Sequence, residues 1–140
     1  MGYWYFVASD DAVAARLIDS GPDGDSCQVN HVDPAVDLGN LQALLTAVAY
    51  DDLDDDDRRG GLVASADNYE RLVMSVTDGL RDVLAVADDA RVDDVASAWV
   101  ATEELAGAAI GDMASVIREL AALSRHAKES GQHLYCWYLA

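Results

Sequence analysis

Six aspartates crowd one short stretch: Asp51, Asp52, Asp54, Asp55, Asp56 and Asp57, followed by Arg58, Arg59, Gly60 and Gly61. Carboxylates at that density could hold a hard cation. A calcium loop of the EF-hand type needs oxygen ligands at positions 1, 3 and 5, Gly at 6 and Glu at 12. With Asp55 as position 1, Gly60 falls correctly at 6, but Arg59 stands at 5 and Ala66 at 12. No other register fits better. The segment therefore reads as an exposed, solvated loop, partly neutralised by Arg58 and Arg59, whose aspartates are the first candidates for contact with a basic partner.

Two further groupings could do chemistry. Cys27-x-x-x-His31 and His133-x-x-Cys136 hold four side chains of zinc-ligating type. On a strand, residues four apart lie about 13 Å from each other, and positions 133 and 136 point to opposite faces. The expectation is two buried, reduced thiols and no metal. The other grouping is Trp99, Thr102, Glu103 and Glu104. Position 103 continues the apolar stripe of Val92, Val95, Ala96 and Trp99, so a carboxylate there could line a pocket and do acid–base work. Adjacent Glu103 and Glu104 point about 100° apart on a helix and do not converge on one atom. The sequence contains no G-x-S-x-G, no G-x-x-x-x-G-K-[ST] and no G-x-G-x-x-G. Neither a serine-hydrolase elbow nor a phosphate loop is written here, and no cofactor is expected.

These residues need elements to position them. Tyr3 to Ala8 and Leu134 to Leu139 are apolar on both parities, as in strands buried on both faces. Seven of the ten aromatics lie in these two segments, which makes them neighbours in one sheet. A helix capped at Ser9 is expected to run to about Ser20, ended by Gly21-Pro22. Ser26 to Val32 reads as a short strand. Asp33-Pro34 opens a helix that carries Leu38, Leu41, Leu44, Leu45 and Val48, weakened by Gly39. Leu62–Ser65 and Arg71–Val76 form a hairpin. Thr77 or Asp78 caps a helix, Asp88-Asp89 interrupts it, and Asp112 caps the longest one, which stops at Ser130-Gly131. The fold class is α+β: one domain over residues 1–140, a four- or five-stranded mixed sheet with the first and last strands central and adjacent, and about five helices covering it.

The chain has 140 residues, and Asp plus Glu outnumber Lys plus Arg by 26 to 9, a formal charge of -17. Such a field repels phosphate, so neither nucleic acid nor an anionic membrane surface is an expected partner. No run of about 18 apolar residues and no signal-peptide pattern is present, and a soluble, cytoplasmic protein is expected.

The opening Tyr3-Trp4-Tyr5-Phe6 and the stretch Val32-Asp33-Pro34-Ala35-Val36-Asp37 leading into Leu41-Gln42-Ala43-Leu44-Leu45-Thr46 resemble the YfbM-like family of bacterial proteins. Ala47 stands where that family's pattern has Gly. Together with the closing Leu134-Tyr135-Cys136-Trp137, the opening is similar to actinobacterial proteins of the same outline. The resemblance implies an α+β fold and brings no catalytic residues.

The expected function is non-enzymatic binding of a basic protein partner, in the manner of an immunity protein or antitoxin, through Asp51, Asp52 and Asp54 to Asp57. Two alternatives stay open. One is a small-molecule binder or enzyme with a pocket near Trp99, Thr102, Glu103 and Glu104. The other is an acidic mimic of nucleic acid.

Overall fold

The computed structural model describes residues 2–53 and 55–140. Five strands, β1 (Gly2–Ala8), β2 (Cys27–Val29), β3 (Leu62–Ala66), β4 (Arg71–Ser75) and β5 (His133–Leu139), form one sheet in the order β2-β1-β5-β4-β3. Among the described residues the α-helices are α1 (Asp11–Ala15), α2 (Val36–Thr46), α3 (Asp78–Ala85), α4 (Asp89–Val100) and α5 (Ile110–Glu129). The α+β class holds, with β1 and β5 central and adjacent.

Every pairing in the sheet is antiparallel, not mixed. A parallel neighbour needs a crossover long enough to carry the chain back along the preceding strand. The five residues of α1 rise only about 7.5 Å, against about 23 Å for a seven-residue strand. The chain therefore turns and enters β2 antiparallel to β1. The helix expected to reach Ser20 stops at Ala15, and Asp10 rather than Ser9 caps it, accepting from the Val13 N–H at 2.9 Å. Tertiary contacts shorten it: the Trp137 indole takes the Ile18 carbonyl at 3.0 Å, and Gly21, at φ 77°, lies against the same ring.

The two-residue period of the strands gives the sheet two different faces. On one, Tyr5, Leu134 and Cys136 meet the large core built with α2 to α5, including Leu41, Leu80, Trp99 and Ile117. On the other, Phe6, Ala8, Val73 and Tyr135 form a smaller cluster under α1. Both parities of β1 and β5 are thus covered, which is why both read as apolar. The β1–β5 seam carries three aromatic pairs, Tyr3–Tyr138, Trp4–Trp137 and Phe6–Tyr135, at centroid distances of 4.9, 5.0 and 5.8 Å. Each such pair contributes about 0.5–1.5 kcal/mol beyond burial.

Candidate functional site

The acidic segment begins in a 3-10 turn over Tyr50–Leu53 and ends where Gly60 and Gly61 bind to β4. Asp51, Asp52, Asp55, Asp56 and Asp57 are exposed; Asp54 lies outside the described residues. The fold fixes both ends of the segment. Arg59 donates to the Ala35 carbonyl at 3.1 Å, stacks 4.3 Å over the Tyr50 ring and donates to the Tyr50 hydroxyl. Gly39 of α2 leaves room for this stack: a Cβ there would come within 2.9 Å of Tyr50 and 3.1 Å of Arg59. Gly61 N–Cα–C passes so close to the Asp57 carbonyl and Ser75 hydroxyl that a side chain would overlap both.

The sequence placed Arg58 and Arg59 as partial neutralisers of the run, and Arg58 is turned toward β4, α1 and β5 instead. Arg58 donates to the Val76 carbonyl at 3.2 Å, pairs with Asp11 at 3.3 Å and lies 5.2 Å over the Tyr135 ring. Among the described residues, no ion pair involves Asp51, Asp52, Asp55, Asp56 or Asp57. Asp52, Asp55, Asp56 and Asp57 rim an open depression of about 570 Å³. Its floor holds Gln42 and Thr77, both buried, with the Thr77 hydroxyl donating to Gln42 Oε1 at 2.6 Å. A neutral polar floor inside a rim of carboxylates suits a cationic side chain. Among the described residues, no group of three or more His, Cys, Asp or Glu is arranged to hold a metal ion.

Trp99, Thr102, Glu103 and Glu104 do not share one helix face. The α4 helix ends at Val100, so its stripe does not run on to position 103. A 3-10 turn over Glu103–Leu105 follows, in which Leu105 takes the buried place and Glu103 and Glu104 are exposed. Trp99 is a fully buried core residue whose indole N–H donates to the Asp37 carbonyl at 3.0 Å. Thr102 donates to the Trp99 carbonyl, and Glu104 accepts from Asn40 at 3.3 Å.

Both cysteines are buried and free. They flank Tyr5 from either side, opposite it on β2 and on β5. The partner of Cys27 is Glu119 of α5, whose Oε2 accepts from the thiol at 3.3 Å, while His31 is exposed. Burial first, and then Glu119, push Cys27 up to about 12. Burial pushes Cys136 well above the usual thiol range. Neither thiol is an activated nucleophile. Cys27, Glu119 and His126 border a groove of about 430 Å³ beside Phe6 and Val7, a grouping the linear spacing gave no sign of. His133 Nδ1 meets Asp78 at 2.7 Å, across the sheet face from Cys136.

Sequence reading also passed over Asp33 and Asp37 as a pair. Asp33 Oδ1 accepts from the Ala35 and Val36 N–H groups at 2.8 and 2.6 Å, holding the turn that leads into α2, whose N-cap is Ala35 rather than the expected Asp33. Asp37, four residues on and only 4% exposed, accepts from the Asp33 N–H at 3.0 Å through Oδ2, while its Oδ1 is buried without a partner. Burial holds the Asp37 carboxyl up at about 6; the Asp33 N–H pulls it down and the Asp33 charge lifts it. The four-residue spacing of two acids at a helix start was the available signal.

No family model matches the chain, and neither a curated protein nor a solved structure matches it. None of the described helices is long and apolar enough to cross a membrane.

Proposed function

We propose that the protein is a binding module that docks a basic protein partner on its acidic segment, in the manner of an immunity protein or antitoxin. One observation supports the reading: Arg58 is anchored in the fold away from the run, while Asp52, Asp55, Asp56 and Asp57 rim an open depression and, among the described residues, form no ion pair. Like charges held together at fixed positions repel each other, and a cationic partner relieves that repulsion. Long-range attraction raises the association rate and fades with salt. The polar floor of Gln42 and Thr77 gives an arriving lysine or arginine hydrogen-bonding groups at the base of the depression.

The test is affinity capture from the source cells at low salt with three baits. They are the native protein, a variant with Asn at 51, 52, 55, 56 and 57, and a control with Asn replacing Asp19, Asp23, Asp25, Asp93 and Asp94. The two variants carry the same net charge. The expected result is one stoichiometric basic partner on the native and control baits, lost from the first variant and weakened at high salt. Equal capture by all three baits would show that the charge serves solvation only.

A further inference from the structure

We propose that a recess at the far end of the main sheet face is a binding site for an alkylated ammonium group. It encloses about 220 Å³. Its floor is Tyr3 and Tyr138, directly opposed on β1 and β5, with rings 4.9 Å apart and tilted by 42°. Leu72 and Met74 of β4 extend the floor, and Asp33 and Pro34, on the loop before α2, form a wall.

Three features fix the chemistry of the occupant. Two tyrosine rings line the recess side by side, and the negative face of an aromatic ring attracts a cation. The remaining lining is mostly apolar, which disfavours a strongly hydrated metal ion or bare ammonium and suits nitrogen whose charge is spread over methyl groups. Finally, the recess lies beside two acids that lack counter-charge. Asp33 lines it directly, and Asp37, which accepts from the Asp33 N–H, is 4% exposed with Oδ1 unpartnered. Among the described residues, neither acid forms an ion pair. Both act on the Tyr3 phenol, which stands at about 12 through burial first and Asp33 next. A buried carboxylate without a cation is costly, and a cation in the recess would offset that cost from outside the protein. The inference uses none of the residues of the acidic segment and stands independently of the partner reading.

The methylated ammonium could belong to a free compound of the choline type or to a trimethylated lysine in a peptide. The experiment titrates the full chain at low salt with choline, with its uncharged isostere 3,3-dimethylbutanol, and with a short peptide carrying trimethyllysine. Binding is followed by NMR shifts of the tyrosine rings. The charged ligand, free or peptide-borne, is expected to saturate and to bind about tenfold more tightly than the isostere. Whichever of choline and the peptide binds more tightly names the source. Tyr138→Leu should weaken binding by about tenfold, and Asp33→Asn, which keeps an acceptor for the Ala35 and Val36 N–H groups, by a smaller factor. The comparison of choline with its isostere uses the native protein and is unaffected if a variant fails to fold. Equal affinity for the charged and uncharged ligands would overturn the proposal. So would the absence of saturation by both choline and the peptide up to about 50 mM.

Discussion

Asp37 is an acid held where water does not reach it, and its effect on stability depends on pH. Unfolded, its carboxyl titrates near 3.8; folded, it titrates at about 6, raised chiefly by burial. Between those values the folded state holds the proton more firmly, so stability from this residue falls as pH rises through the window and stays lowered above it. Asp37→Asn keeps the acceptor for the Asp33 N–H and removes the charge. It is expected to stabilise the protein by about 1–3 kcal/mol at pH 8 and to be nearly neutral near pH 3.5. Urea unfolding at the two pH values checks this, and an equal effect at both would mean that the buried charge is not the cause. Trp99 shows the same dependence on surroundings from the other side. Its place on an apolar stripe was legible in the sequence as burial, and its indole found a backbone carbonyl. Glu103 was misplaced because the end of α4 is set by the turn that follows, and Thr102-Glu103-Glu104 carries no glycine to announce it.

Glycines decide how the elements hold the acidic segment, and the helix scale alone misjudges them. By propensity, Gly→Ala inside an exposed helix stabilises by about 0.5–1 kcal/mol. Gly111 near the start of α5 has open space around it, so Gly111→Ala is expected to show that gain. Gly39→Ala should show none, because its methyl group displaces the Tyr50–Arg59 stack. Gly61→Ala meets backbone at Asp57 and should destabilise by about 1–3 kcal/mol. Thermal melts of the three variants check the order; a gain for Gly39→Ala equal to that for Gly111→Ala would show the stack to be loose. The same contrast explains what was legible at this scale. β1 and β5 were readable, and even their adjacency was, because residues buried on both faces leave an unbroken apolar run. The turn into α2 was readable, though not its first residue, because Asp33-Pro34 acts within a few residues. The length of α1, the inward turn of Arg58, and the meeting of Cys27 with Glu119 were not. Each is fixed by a contact with a distant segment: Trp137 on Ile18, Tyr135 beside Arg58, α5 against β2.

Across the whole molecule, a formal charge of -17 acts against the compact state. Screening should relieve it, so the midpoint of thermal unfolding is expected to rise by several degrees between low salt and about 0.5 M salt. Partner binding through the acidic segment is expected to change in the opposite direction. A midpoint that did not move would show that the charges are too far apart, or already too well paired, to strain the fold. The sheet has a different asymmetry. Its central seam joins the segment Gly2–Ala8 to the segment His133–Leu139, which lie almost a full chain apart. On a ribosome adding roughly 5–20 residues per second, the first of these waits on the order of ten seconds for the second. For that time Tyr3, Trp4, Tyr5 and Phe6 lack their eventual neighbours while most of the helices are already made. The aromatic pairs that anchor the finished fold are therefore, in the nascent chain, a sticky motif in need of shelter, and a chaperone that recognises aromatic-rich extended segments would have its natural window there.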